Sequence, residues 1–272
     1  MTVEVLIAAL FGLLIGSFLN VCIYRLPRDL SVVMPRSFCP ECEKPIAWFD
    51  NVPLLSFVLL RARCRHCGKP IPLRYPIVEL LTAIAFACAI WFLGATAAGL
   101  KFCVFGAILV TLLFSDLEER ILPDEFTLGG TAAGLVLAAF VPLRGSILQL
   151  LLSVQNQRVI SIGDALLAAA FCSGALWLVG ALYDKIRHRE GLGLGDVKMA
   201  AMIGSFLGIE SSLLTIIAGS LLGAIVGLFY IWFTEKDAST YELPFGTFLG
   251  SAALVVGFWS EVFFNGRRLV GF

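Results

Sequence analysis

Charged residues are scarce in this sequence. Only 15% of its 272 residues are Asp, Glu, Lys or Arg, whereas a soluble domain has about 25%. Hydrophobic residues make up 59%, and the mean hydropathy is +0.91. A polar surface that encloses a soluble core cannot be built from this composition, which excludes a disordered chain, a secreted disulfide scaffold and a conventional cytosolic enzyme. The sequence therefore predicts an integral membrane protein.

An excess of either charge is also lacking. The 20 basic residues balance the 20 acidic ones, so no basic field indicates nucleic acid as a partner. No basic region precedes the first apolar stretch, and we therefore expect no cleavable signal peptide. Strand-period alternation over ten-residue segments is absent, which disfavours a β-barrel.

Long apolar runs are abundant. At about 20 residues per span, they predict eight transmembrane helices, over residues 4–24, 76–94, 96–115, 126–143, 164–183, 198–209, 212–233 and 246–264. The predicted fold is all-α, a polytopic membrane helical bundle with a small insert. We expect three parts: a first transmembrane helix (1–24), the insert (25–75) and a larger bundle (76–272).

The distribution of basic residues predicts the orientation. Nine Lys or Arg residues lie between Arg25 and Arg74, and basic loops remain in the cytosol. With the insert on the cytosolic side, fifteen basic residues face the cytosol and five face outward. With eight spans, both termini then lie outside the cytosol. We expect lipid to surround the bundle.

Four cysteines in the insert form two Cys-x-x-Cys pairs, Cys39/Cys42 and Cys64/Cys67. Two such pairs can converge on one tetrahedral ion, and four thiolates that leave no open position are typical of structural zinc. An insert of this size has little core of its own, so a metal would stabilise it. Two disulfides, idle thiols and replacement of one ligand by His66 are the alternatives. The other four cysteines lie singly in apolar spans, where packing explains them.

Two aspartates lie at the predicted cytosolic edge of the bilayer. Asp116 closes the third span, and Asp196 opens the sixth within Gly191-Leu-Gly-Leu-Gly-Asp196-Val-Lys198. Ionisable groups in membrane segments are functional candidates. Two adjacent carboxyl groups share one proton, so one activates water while the other polarises a peptide carbonyl, as in aspartic proteases. Gly191, Gly193 and Gly195 would permit tight turns and close approach of a substrate strand. Taken singly, each aspartate is more simply a helix cap.

With these residues the chain resembles the type IV prepilin peptidases, which are Gly-x-Gly-Asp intramembrane aspartyl proteases. The segments Gly16–Pro27, Asn51–Ser56 and Arg74–Glu79 are similar to motifs of that family. The resemblance assigns Asp116 and Asp196 to catalysis, and Gly193, Gly195 and Lys198 to the active-site loop. It also implies cleavage of the basic leader of prepilins or pseudopilins in the bacterial inner membrane. Members with this cysteine-bearing insert then methylate the new N-terminal amine with S-adenosylmethionine.

One departure concerns methylation. The family usually has Gly and then a basic residue before the third cysteine, whereas Ala62 and Arg63 precede Cys64 here. Arg63 and Glu79 are candidates for methyl transfer, and pairing of Glu79 with a basic residue is its alternative. Asn20 and Arg25 are equally consistent with anchoring to lipid headgroups and with substrate binding.

Three acidic residues near Asp116 carry further hypotheses. Asp124 follows Pro123 and is either a helix cap or a rival for the first catalytic role. Glu118 and Glu119 either form a solvated turn or dock the basic leader. For the whole protein, the alternatives are a peptidase without methylation, a proton- or cation-coupled transporter, and a zinc-bearing assembly subunit without catalysis.

Overall fold

The computed structural model describes residues 2–143, 148, 156–188, 191–234 and 244–269. Within these residues all regular secondary structure is helical. The described residues contain no β-strand, and β pairing is limited to two isolated bridges. The prediction of an all-α membrane bundle is confirmed, since five helices are long and apolar enough to cross a membrane. The chain divides into two compact units, Met1–Ser115 and Asp116–Phe272. The division into an insert and a bundle remains a prediction.

The first unit contains two long helices, α1 (Thr2–Arg25) and α3 (Arg74–Leu93), with the insert between them. The insert holds two 3₁₀ turns (Leu26–Arg28 and Trp48–Asn51) and the short helix α2 (Leu55–Leu59). Helix α4 (Ala97–Glu119) completes this unit, and its last four residues begin the second.

Helices α1 and α3 pack closely because α1 has glycine at the contact. A Cβ atom on Gly12 would lie 2.6 Å from the Cα of Ala83, and one on Gly16 would lie 2.7 Å from the Cα of Glu79. Glycines four residues apart permit this backbone approach between membrane helices. The opposite face of α1 exposes large apolar side chains such as Leu10 and Leu14, as expected for contact with lipid.

The second unit contains α5 (Asp124–Ala138), α6 (Gln157–Arg187), α7 (Leu194–Thr234) and α8 (Phe245–Leu269). Helix α7 packs against the other three. It covers the sixth and seventh predicted spans, which are two helical segments separated by a kink at Gly208, where φ is 77°. Helix α5 has only 15 residues, about 22 Å, which is shorter than the hydrocarbon core. Arg144, Arg189 and Lys236, which entered the charge asymmetry, lie outside the described residues, and the orientation remains a prediction.

Candidate active site and metal centre

Asp116 and Asp196 line the same cavity in the second unit. Asp116 lies in the last turn of α4 and is 5% exposed, and Asp196 lies in the first turn of α7. The cavity has a volume of about 270 Å³. The structure thus brings together two carboxyl groups that are 80 residues apart in sequence.

Thr247 holds the carboxyl group of Asp116. Its backbone N–H and its hydroxyl both donate to Asp116 Oδ2, at 2.6 and 2.9 Å. Thr247 is the third residue of α8, where helical N–H groups have no partner within the helix. Gly246 makes room for the approach, because a Cβ atom there would lie 3.1 Å from Asp116 Cγ. Sequence reasoning missed Thr247; the only available signal was its place just after Pro244, in the first turn of an apolar helix.

The glycine-rich segment before Asp196 provides space for its neighbours. Gly191, Gly193 and Gly195 all lack a positive φ, so the expected tight turns do not use left-handed backbone. A side chain on Gly191 would collide with the ring of Tyr183, and one on Gly195 would crowd Leu122 at 3.2 Å. Close approach therefore explains two of the three glycines, and Gly193 has only ordinary contacts.

Lys198 and Asp124 form an ion pair at the same cavity. Lys198 Nζ lies 2.7 and 2.9 Å from the two carboxyl oxygens of Asp124, which begins α5. Both side chains are partly exposed. The pair connects the first turns of α5 and α7 beside the two aspartates.

The proposed docking residues lie outside this cavity. Glu118 is exposed and Glu119 half-buried, and neither belongs to the cavity wall, whereas Arg120 does. Their role in docking remains a prediction.

The four insert cysteines form a second site, in the first unit. Their Sγ atoms all lie within 4.8 Å of one another, and those of Cys39 and Cys67 are 3.9 Å apart. Zinc–sulfur bonds of about 2.3 Å in a tetrahedron place sulfurs roughly 3.8 Å apart. All eight cysteines lie within the described residues and are free thiols. The arrangement is thus compatible with a structural zinc formed by the predicted ligand set.

The two cysteine pairs are copies of one local structure. The sequence Cys-x-x-Cys-x-Lys-Pro-Ile occurs at residues 39–46 and again at 64–71. In each copy the backbone N–H of the first cysteine donates to the carbonyl of the lysine, at 3.0 Å in the first copy and 2.9 Å in the second. The N–H of the residue after the second cysteine donates to the carbonyl of the first cysteine, at 2.8 and 2.9 Å. Backbone N–H groups of Cys67 and His66 lower the pKa of the Cys64 thiol to about 7, whereas burial raises the pKa of the Cys39 thiol. The pKa of Cys67 rises to about 11 despite a backbone hydrogen bond from Lys69, because burial and the neighbouring thiols disfavour its thiolate. Sequence reasoning overlooked this repeat.

The methylation candidates Glu79 and Arg63 are not brought together. Glu79 is buried and accepts a hydrogen bond of 2.8 Å from the backbone N–H of Leu54. It lines a cavity of about 210 Å³ enclosed by α1, α3 and the insert. Arg63 is exposed and lies outside the wall of that cavity, where its backbone bridges to Pro70.

Comparison with known proteins shows the family of the chain. The family model of the bacterial peptidase A24 N-terminal domain matches residues 10–93, and that of the type IV leader peptidase family matches residues 103–228. A prepilin leader peptidase/N-methyltransferase of Legionella pneumophila is 34% identical over 96% of this chain and 93% of its own length. The chain belongs to the type IV leader peptidase family. The predicted resemblance is confirmed.

Further relatives in this family carry the same name. A protein of Myxococcus xanthus is 40% identical over 85% of this chain but only 64% of its own length. One of Xanthomonas campestris is 34% identical over 95% of this chain and 92% of its own length. No solved structure matches the chain. These names agree with the predicted leader cleavage and N-methylation, and the transporter alternative is not supported.

Proposed function

We propose that this chain cleaves the basic leader from prepilins or pseudopilins with Asp116 and Asp196, and then methylates the new N-terminal amine. The observation that carries the proteolytic half is the shared cavity of the two aspartates. Membership of the family and the names of its relatives support both halves. The basic insert supports a cytosolic position for both sites in the bacterial inner membrane, with lipid around the helices and no role for nucleic acid.

Peptide cleavage follows from the two carboxyl groups and their surroundings. Like charges this close do not both ionise readily, so the pair shares one proton. Two donors from the start of α8 meet Asp116 Oδ2, and hydrogen bonds to a carboxylate are strongest when it is ionised. We therefore assign Asp116 as the base that activates water and Asp196 as the acid that polarises the scissile carbonyl. Thr247 is a positioning residue, and the Lys198–Asp124 pair positions the helix turns around them.

The zinc ligands proposed for the insert are Cys39, Cys42, Cys64 and Cys67. Four thiolate ligands close the coordination sphere, so the ion would stabilise the insert without taking part in catalysis. We place methyl transfer in the neighbouring cavity, where S-adenosylmethionine supplies the methyl group when bound. The cavity fits a ligand with hydrogen-bond donors, because the buried acceptors Glu79 and Asn20 lie in its wall. Glu79 remains a candidate for that reaction. Arg63 does not line the cavity, so its position does not support a role in methyl transfer.

The proteolytic half is tested by Asp116→Asn and Asp196→Asn. Each should lower leader cleavage by about a thousandfold or more, because a general acid or base is lost. Methyl transfer to a substrate that has already been cleaved should persist, which shows that the chain is folded. Asp124→Asn tests the rival assignment and should retain appreciable cleavage, because Asp124 positions helix turns and is not one of the two catalytic carboxyl groups. Near-normal cleavage by either variant would remove that aspartate from the pair, and complete loss in Asp124→Asn would reverse the assignment.

A further inference from the structure

The helix wall of the cavity in the first unit carries hydrogen-bond acceptors. Asn20 comes from α1 and Glu79 from α3, and the Ser17 hydroxyl of α1 donates to Glu79. Asn20 and Glu79 are 1% and 7% exposed. Buried acceptors require donors, so the partners of each group indicate what is missing.

Asn20 has a buried oxygen without a donor. Its Nδ2 donates to the backbone carbonyls of Gly16 and Tyr75, at 3.3 and 3.1 Å. Because both partners are carbonyls, the nitrogen must face them and the orientation of the amide is settled. The remaining atom, Oδ1, is buried and accepts from no group in the described part of the chain. An unsatisfied buried oxygen is unfavourable, which points to a ligand that donates to it.

Glu79 lies one helical turn from Asn20 on the same wall. The close approach of Gly16 to Glu79 fixes the register of α1 against α3, and Asn20 follows Gly16 by one turn. Leu54, whose N–H donates to Glu79, adopts φ 57° and ψ −45°. Such backbone strain in a residue other than glycine is concentrated at ligand-binding sites.

We propose that Asn20 and Glu79 form a subsite for a primary ammonium group. An ammonium has three donors and a positive charge, which match a carboxylate beside an amide oxygen. Arg25 also lines the cavity, but its guanidinium donates to the carbonyls of Ser31 and Pro35 at 2.9 and 2.8 Å. The subsite rests on the proposed methylation, and the ammonium belongs either to the newly cleaved chain or to the methyl donor.

Calorimetric binding to the intact chain in detergent micelles tests this subsite. The probes are a peptide with the sequence of a mature pilin N-terminus, the same peptide acetylated at its amine, and S-adenosylmethionine alone. If the peptide amine occupies the subsite, wild type should bind the free peptide about tenfold more tightly than the acetylated one. Glu79→Gln and Asn20→Leu should abolish this preference. Glu43→Gln, an exposed carboxyl of the insert, and Thr82→Val, a buried hydroxyl at the α1–α3 contact, are the controls.

The two sources of the ammonium give different results. A lost peptide preference with unchanged affinity for S-adenosylmethionine assigns the subsite to the cleaved chain. An affinity for S-adenosylmethionine that falls about tenfold in both variants assigns it to the donor. Unchanged binding of every probe by Glu79→Gln would overturn the subsite even if Asn20→Leu fails to fold. Methyl transfer by wild type is measured in parallel. Its absence refutes the proposed methylation, whereas the binding preference tests the ammonium subsite independently of that activity.

Discussion

The two sites of this chain are built in different ways. The aspartate site of the second unit is assembled from the ends of long helices: two residues 80 positions apart line one cavity, and Thr247 contacts Asp116 over 131 positions. The cysteine site of the first unit is assembled from two short copies of one loop, each closed by hydrogen bonds over four or five residues. Helix packing therefore positions the aspartate site, and local turns with a metal would position the cysteine site. Changes in one site should leave the other reaction intact.

Apart from the aspartate variants, the largest expected effect comes from removing a cysteine. Cys39→Ser should eliminate bound zinc and lower methyl transfer about tenfold or more, because the insert loses the ion that stabilises it. Leader cleavage should remain within about threefold of wild type, since no cysteine lies at the aspartate cavity. Metal analysis and the two activity assays on one preparation measure this, with Cys88→Ser as the control outside the insert. Equal loss of both activities would contradict the separation of the sites.

A smaller effect is expected at Thr247. Thr247→Val removes the hydroxyl that donates to Asp116 and keeps the backbone N–H. One lost hydrogen bond to a charged group corresponds to a decrease in cleavage kcat of about tenfold. Thr247→Ser retains the hydroxyl and should stay near wild type. If the valine and serine variants have the same kcat, the hydroxyl does not position Asp116.

The strained backbone before Cys64 predicts a gain in stability. Ala62 has a φ of 56°, a left-handed conformation that is unfavourable for a residue with a Cβ atom. Ala62→Gly, which restores the residue usual in the family, should raise the free energy of unfolding of the insert by about 1 kcal/mol. Ala47→Gly is the control, because Ala47 has an ordinary φ of −65° and glycine there should destabilise. Thermal unfolding of the zinc-loaded protein measures both, and destabilisation by Ala62→Gly would exclude strain at this position.

The smallest effect concerns leader docking. Glu118→Lys combined with Glu119→Lys should raise the KM for a basic leader by a few-fold at low salt, because exposed pairs contribute only about 0.2–1 kcal/mol each. Added salt should reduce the difference. A leader with acidic residues in place of the basic ones should show the opposite preference. Identical salt dependence in wild type and variant would show that the two glutamates belong to a solvated turn and do not dock the leader.

The contrast between the sites also explains what sequence reasoning predicts well. The helices follow from long apolar runs, and the metal ligands follow from spacing within short loops. The pairing of Asp116 with Asp196 follows from a common membrane edge. Thr247 was not predictable, since its contact with Asp116 depends on how α8 packs and a threonine at a helix start has no distinctive pattern.

The cavity of the first unit was equally hidden. Glu79 alone suggests an ion pair, but its donors are the Ser17 hydroxyl and the N–H of Leu54, whose unusual backbone is invisible in the sequence. Arg63 shows the opposite failure: its place in the family segment associated with methylation suggested a role, yet its side chain is exposed and lies outside the cavity wall. The repeat of residues 39–46 at 64–71 was visible in the sequence and became clear only when both copies had the same hydrogen bonds.

With zinc bound as proposed, the duplicated loop would make metal supply part of the stability of this region. Each copy would provide two thiolates, so neither copy alone completes the proposed tetrahedral site, and zinc would bind only when both are in place. Mass action then applies: above the dissociation constant, every tenfold rise in free zinc adds about 1.4 kcal/mol to the folded form. The methylating half of the protein would thus respond to the zinc content of the cell. The aspartate half would not.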